Sequence, residues 1–304
     1  MEDAEVRIAA FDWLRRAVDA HGDVLARELL AKGFEFRGQR VPFLGPQGIF
    51  KPKVLQALPL SITTAPSGPY DDSFGQDGLL SYKYRGTDPQ HKDNIGLREA
   101  MRRQTPLVYF HGIVPGRYLA TWPVFVVADD SRTLTFSIAV DEMSRAERAL
   151  EESARKEYRV AEDAVPRRAY ITAVVRKRLH QQAFRERVLE AYHVECALCH
   201  LRHRELLDAA HIIPDGEPGG EPVVNNGIAL CALHHAAYDR CLIGIRPDYG
   251  VVVKSAILKE QDGPMLRHGL QGLEGGVLRV PRVASSRPSP EFLAWKWERF
   301  KASA

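Results

Sequence analysis

Cys196-Ala-Leu-Cys199, Asp208-Ala-Ala-His211-Ile-Ile-Pro214 and Asn226-Gly227-Ile-Ala-Leu-Cys231-Ala-Leu-His234-His235-Ala-Ala-Tyr-Asp239 interleave two donor sets within 44 residues. The first is soft. Cys196 and Cys199 form a Cys-x-x-Cys pair, and Cys231 and His234 a Cys-x-x-His pair, with 31 residues between them. Tetrahedral zinc takes thiolates and imidazoles, and a two-residue gap lets both members of a pair point inward from one tight turn. Two such knuckles predict a closed Cys3His site holding a structural zinc. A redox dithiol is the rival reading of a single Cys-x-x-Cys, and the second knuckle weighs against it. His200 and His203 compete with His234 for the fourth position, and Cys241 is left over.

The second set is suited to hydrolysis. His211 lies in an apolar, strand-like stretch stopped by Pro214. Asn226-Gly227 reads as a tight turn. The residues after it have the texture of a helix, which puts His235 and Asp239 at i and i+4, on one face, able to grip one cation. Phosphodiester hydrolysis needs a base to activate water and a cation to neutralise charge on the phosphate. Any one of these residues alone is more simply a satisfied polar side chain; four together around a zinc knuckle favour the site.

On these motifs, residues 196–245 resemble an HNH endonuclease domain of the ββα-metal fold, in the variant reading Ala-His-Ile-x-Pro, Asn-Gly-x-x-Leu and His-x-x-(aromatic)-Asp. The resemblance implies that His211 is the general base and that Asn226 holds the catalytic loop and orients that base. It also implies that His235 and Asp239 bind a catalytic divalent metal such as Mg²⁺, Mn²⁺ or another transition ion. One position departs from the family: where many members carry an acidic or histidine ligand directly before the base, this chain has Ala210. Asp208 is the candidate substitute, although a strand would place it on the face opposite His211.

Outward from this segment, charge is uneven. The chain has 42 Lys+Arg against 39 Asp+Glu, a net charge of only +3. Between Arg167 and Arg204, nine basic residues face three acids, a local +6. Arg176, Lys177, Arg178 and Arg185 in this run are expected to contact a DNA backbone, with salt-sensitive binding; a solvated helix face is the plainer reading. Residues 179–192 place Phe184, Val188 and Tyr192 on a helical period, expected to pack on the nuclease core.

Residues 3–31 read as two short helices broken at Gly22, and from Gly33 to Val140 short apolar runs alternate with Gly and Pro. That texture predicts a compact β-barrel or sandwich. Ser67-Gly-Pro-Tyr70-Asp71-Asp72, Asp77-Gly-Leu-Leu-Ser-Tyr82, Asn94-Ile-Gly-Leu97 and Trp122-Pro-Val resemble the pocket region of SRA domains, readers that flip a modified cytosine out of the duplex. In that family the base stacks between two aromatic rings and an Asp reads its edge, as a flipped base requires. The resemblance implies Tyr70 and Tyr82 as the rings and Asp72, or Asp71, as the polar group. The Tyr-Asp-Gly element of many members is not intact, and Gly116-Arg117-Tyr118 stands in its region.

The expected fold class is therefore α+β. It comprises an SRA/PUA-like β-barrel over 1–140, a charged helical linker over 141–165, and a ββα-metal HNH domain with structural zinc over 166–304. Joined, the halves resemble modification-dependent restriction endonucleases acting on double-stranded DNA carrying 5-methylcytosine or 5-hydroxymethylcytosine. Two cuts per duplex imply a homodimer. An HNH nuclease indifferent to modification and a catalytically silent zinc-stabilised DNA-binding module are the alternatives. No run approaches the ~18 apolar residues of a membrane span. The acidic start Met1-Glu-Asp-Ala-Glu lacks signal-peptide character, and the four cysteines, three of them in the knuckles, fit a reducing cytoplasm.

Overall fold

The computed structural model describes residues 2–65, 79–141, 164–261 and 263–303. The chain divides into two compact units, Met1–Leu179 and His180–Ala304.

In the first unit, helix α1 (Glu2–His21) is followed by strand β1 (Val24–Ala26), helix α2 (Arg27–Lys32) and the hairpin of β2 (Phe34–Phe36) with β3 (Gln39–Val41). Then come β4 (Ile49–Phe50), β5 (Ser61–Thr64), β6 (Leu80–Lys83), helix α3 (Lys92–Arg102), β7 (Leu107–Val114), β8 (Arg117–Asp130) and β9 (Thr135–Val140). The sheet runs β4-β5-β7-β8-β9-β6, with β1 also pairing β8. Among the described residues, only the β5–β7 pairing is parallel. Register shifts in β8 against both β7 and β9 bend this long strand, as bulges do.

The two ends of the sheet approach each other. The Tyr82 hydroxyl, on end strand β6, donates to Thr63 O on β5 at 3.3 Å. A Cβ on Gly48, just before β4, would lie 2.8 Å from that hydroxyl. The sheet is therefore curled, but no ladder joins β4 to β6 among the described residues. Beneath it, α1 buries Val6, Ala10, Phe11, Leu14 and Ala17 as one stripe. Phe43 is surrounded by Trp13, Phe34 and Phe110, with ring centroids 5.1, 5.4 and 5.8 Å away.

Two details differ from the sequence reading. Residues 3–31 form one long helix and one short one, separated by β1, since Gly22 adopts φ 78° and ends α1. Asn94 and Leu97, read as part of a strand-rich pocket region, lie on α3. That helix is started by His91, whose Nδ1 accepts from Asp93 N. It is tied down by Asn94, which donates to Asp88 O and Arg85 O and accepts from Arg85 N. Most of the expected linker, residues 142–163, lies outside the described residues.

Helix α4 (Ala164–Ala191) contains the division between the units. The second unit continues with β10 (Leu207–His211), β11 (Gly227–Cys231), α5 (Ala232–Asp239), the hairpin of β12 (Ile243–Ile245) and β13 (Val251–Val253), α6 (Ser255–Lys259), α7 (Pro264–Gly269) and α8 (Pro290–Ala302). Phe184, Val188 and Tyr192 are buried in its core with Leu230, Tyr238 and Leu293. Gly227 is needed there for space: a Cβ would sit 2.5 Å from Val188 Cγ2 and 2.8 Å from Phe184 Cζ. Among the described residues no helix is long and apolar enough to cross a membrane.

Candidate active site and metal centre

The antiparallel ribbon β10–β11 runs directly into α5, a ββα unit. Its register sets Leu207 against Cys231 and His211 against Gly227, so the ribbon carries a knuckle cysteine at one end and the base candidate at the other.

At the first end, the ligand atoms of Cys196, Cys199, Cys231 and His234 all lie within 4.8 Å of one another. Cys199 Sγ is 3.9 Å from Cys231 Sγ, and His234 Nδ1 is 3.4 Å from Cys196 Sγ and 3.3 Å from Cys231 Sγ. Zn–S bonds of ~2.3 Å in a tetrahedron imply S···S edges of about 3.8 Å, so the donor set fits zinc in both spacing and chemistry. His234 Nε2–H donates to Gly269 O at 2.7 Å, which fixes the tautomer and leaves Nδ1 free as a donor atom. His200 is held instead by Glu195, Nδ1 to Oε1 at 2.8 Å. His203 and Cys241 are not part of the cluster. Hydrogen bonding from Cys231, foremost, holds the Cys196 thiol far below its usual range, as suits a thiolate ligand.

At the other end lies a cavity of about 520 Å³ lined by Phe184, Arg185, Asp208, His211, Asp215, His235, Asp239 and Lys296, among others. His211 stacks on Phe184, centroids 4.0 Å apart and planes 22° apart. Its Nε2 is buried without a hydrogen-bond partner among the described residues, so Nδ1 is the nitrogen left for water. Burial, foremost, pulls the His211 pKa below its ordinary value, against the opposing pull of Asp215. The imidazole is therefore neutral, and a competent base, at neutral pH.

His235 lies between two carboxylates: Nδ1 is 3.3 Å from Asp208 Oδ2, and Nε2 is 3.3 Å from Asp239 Oδ2. The hydrogen bond to Asp208, then that to Asp239, raises its pKa to about 9. The Asp239 carboxyl is held below its usual range, chiefly by His235. For Asp208, burial pushes upward but the His235 hydrogen bond and the Ala209 amide bring the net shift down. An imidazole flanked by carboxylates suits a hard or borderline divalent cation, but Asp208 and Asp239 face opposite ring nitrogens, so one cation on His235 would share a nitrogen's side with one of them and would need the other carboxylate or the ring to turn. Asp208 reaches the same cavity as His211, contrary to the opposite-face expectation for a flat strand. A two-stranded ribbon twists more strongly than a strand inside a sheet.

Asn226 stands behind the cavity, fully buried. Its Nδ2 donates to Ile213 O at 3.0 Å and Glu221 O at 3.1 Å, and its Oδ1 accepts from Ile213 N at 2.9 Å. It pins the segment that follows His211 and does not line the cavity.

Arg185 donates to Leu207 O, Arg204 O and Glu186 Oε1 and lies 3.4 Å from Asp208 Oδ1, so it braces the start of β10 at the cavity rim. Arg178 is held by both oxygens of Asp23. The side chains of Arg176 and Lys177, and residues Tyr70, Asp71 and Asp72, lie outside the described residues. Tyr82 is buried, its hydroxyl engaged by Thr63.

Asp215, Phe184 and Lys296 are among the cavity residues that escaped the sequence reading. Phe184 was read only as core. Lys296 left a visible signal: Leu293, Lys296 and Phe300 form an i, i+3, i+7 stripe that is buried throughout, and a lysine on such a stripe is unusual.

Residues 196–246 match the family model described as HNH endonuclease. No curated protein matches the chain. Among solved structures, the modification-dependent TagI restriction endonuclease aligns at 16% identity and TM-score 0.32, covering 94% of this chain and 90% of that one. The type IV phosphorothioation-dependent restriction endonuclease ScoMcrA aligns at 16% identity and TM-score 0.24, covering 84% of this chain and 55% of that one. The ββα unit with its Cys3His cluster thus coincides with the matched segment, and the chain carries an HNH endonuclease domain over residues 196–246.

Proposed function

We propose that the chain is a modification-dependent DNA endonuclease, with the first unit reading 5-methylcytosine or 5-hydroxymethylcytosine in duplex DNA and the second hydrolysing the backbone. The observation that carries the nuclease part is the shared cavity: one neutral imidazole, His211, beside the Asp208, His235 and Asp239 donors. His211 takes a proton from water as the water oxygen bonds to phosphorus and the opposite P–O bond breaks. Asn226 keeps His211 in register by holding Ile213. Asp208, His235 and Asp239 would hold a divalent cation, which when bound neutralises charge on the phosphate and the departing oxygen. The Cys196, Cys199, Cys231 and His234 cluster would hold zinc and fix the ribbon to α5. Arg185, and Arg176, Lys177 and Arg178 ahead of it, are proposed to meet the DNA backbone. Arg178 would have to exchange Asp23 for phosphate.

The reader part rests on the sequence resemblance around Tyr70, Asp71, Asp72 and Tyr82 and on the curled sheet that carries Tyr82. A homodimer would supply the second cut.

The test is one plasmid prepared unmodified, with 5-methylcytosine, with 5-hydroxymethylcytosine and with N6-methyladenine, incubated with the protein and Mg²⁺, Mn²⁺, Co²⁺ or Ni²⁺. Cutting of the cytosine-modified states alone supports the whole reading, and His211→Ala abolishes it. Equal cutting of all four removes the reader and leaves the nuclease. No cutting with any metal, alongside retained DNA binding, leaves a silent zinc-stabilised binding module.

A further inference from the structure

Lys296 is a buried lysine, 8% exposed, on the inward face of α8. Its ammonium lies 5.0 Å from the centre of the Tyr238 ring and it lines the cavity shared by His211, His235 and Asp239. Yet it makes no hydrogen bond or ion pair with any described residue, while Arg185, at the rim of the same cavity, bonds Glu186, Arg204 O and Leu207 O. The ammonium thus reaches the cavity with its hydrogen-bonding capacity unused by any described residue. Asp208 and Asp239 carry two negative charges against the single positive charge of His235, and Asp239 acts on Lys296 through space without forming an ion pair with it. A cation on the cavity wall beside a hydrolytic base, with no hydrogen-bonding partner among the described residues, is placed to take an anion that arrives with the substrate.

We propose that Lys296 is a catalytic residue that contacts a non-bridging oxygen of the scissile phosphate and stabilises the charge that grows there as water attacks. The role rests on the nuclease reading above. It is separate from the divalent cation, because an ammonium cannot ligate a metal. A cation fixed in a water-poor site, aimed where charge develops, needs no reorganisation at the moment of reaction. The Tyr238 ring, 5.0 Å from the ammonium, supplies a cation–π contact that helps to fix it.

The test uses the full-length protein, wild type, Lys296→Met and Lys296→Arg, with matched zinc content. Methionine keeps a long apolar side chain and removes the charge. Single-turnover cutting of a short 5-methylcytosine duplex is measured at saturating Mn²⁺, and binding without cutting is measured in Ca²⁺ across a salt series. The proposal expects Lys296→Met to cut about 100-fold or more slowly with an unchanged melting temperature. The slope of log Kd against log salt should shrink by about 0.9, one phosphate contact. Lys296→Arg should keep the slope and recover part of the rate. Methionine cutting at the wild-type rate overturns the proposal. So does a rate loss with an unchanged salt slope and a lowered melting temperature, which makes Lys296 a brace for Tyr238. If the wild type cuts no duplex with any metal, the nuclease reading itself fails and takes this one with it.

Discussion

Replacing Asn226 by alanine removes three hydrogen bonds at once: two donated to Ile213 O and Glu221 O, and one accepted from Ile213 N. The two donated bonds contribute about 1 kcal/mol net each, and the buried Ile213 amide left without an acceptor costs about 1–3 kcal/mol. The total is about 3–5 kcal/mol, a large part of the ~5–15 kcal/mol that holds a domain together. Because the bonds all converge on one loop, the loss should be local. Hydrogen exchange of the Ile213 amide should accelerate by about 100-fold or more, while amides of β12 and β13 change little. The loop carries His211, and a displacement near 1 Å at a reacting group can cost about 100-fold in rate, so single-turnover cutting should fall by that order with DNA affinity preserved. An alanine variant with native protection at Ile213 and native cutting would refute the idea that Asn226 acts by holding the base. Native protection with lost cutting would instead give Asn226 a direct part in the chemistry.

Phe184→Leu exposes the His211 ring, so its pKa should rise toward the ordinary value. The base works when neutral, so the acid limb of the rate, expected below pH 6.5 in the wild type, should move upward in a pH–rate profile. The same depressed pKa makes His211 destabilising when protonated, so stability should fall as pH drops through about 6.5, a loss smaller in Phe184→Leu. Gly227→Ala forces a Cβ to within 2.5 Å of Val188 Cγ2; about 1–3 kcal/mol of overpacking, seen as a lower melting temperature, should come with slower cutting because Phe184 also gives way. Metal analysis should find one zinc bound per chain by the Cys3His cluster, lost in Cys199→Ser, with the second unit more sensitive to a chelator than the first.

The centre was legible in the sequence because its chemistry is local. Knuckle spacing, a strand stopped by Pro214, the Asn226 turn and an i, i+4 pair lie within one ribbon and one helix. Asp208 shares the cavity with His211 although strand spacing puts the two on opposite faces, because spacing alone does not report ribbon twist. Lys296 comes from a helix far along the chain, and only three-dimensional packing delivers it to the cavity. In the first unit the strands announced themselves by composition, but the parallel β5–β7 pairing is non-local. Helix α3 buries only Asn94, Leu97 and Ala100, too narrow a stripe to stand out, and its start depends on an unusual histidine cap.

One turn of α5 carries both His234, in the sulphur cluster, and His235, between the two carboxylates. Successive helical residues are ~100° apart, so that rotation is what parts the two inorganic sites. An insertion or deletion between Cys231 and Asp239 would turn one donor out of its place for every setting that kept the other. The segment is thus a fixed-pitch spindle: its substitutions can be varied one by one, but its length cannot drift without parting the sulphur cluster from the carboxylate-flanked imidazole.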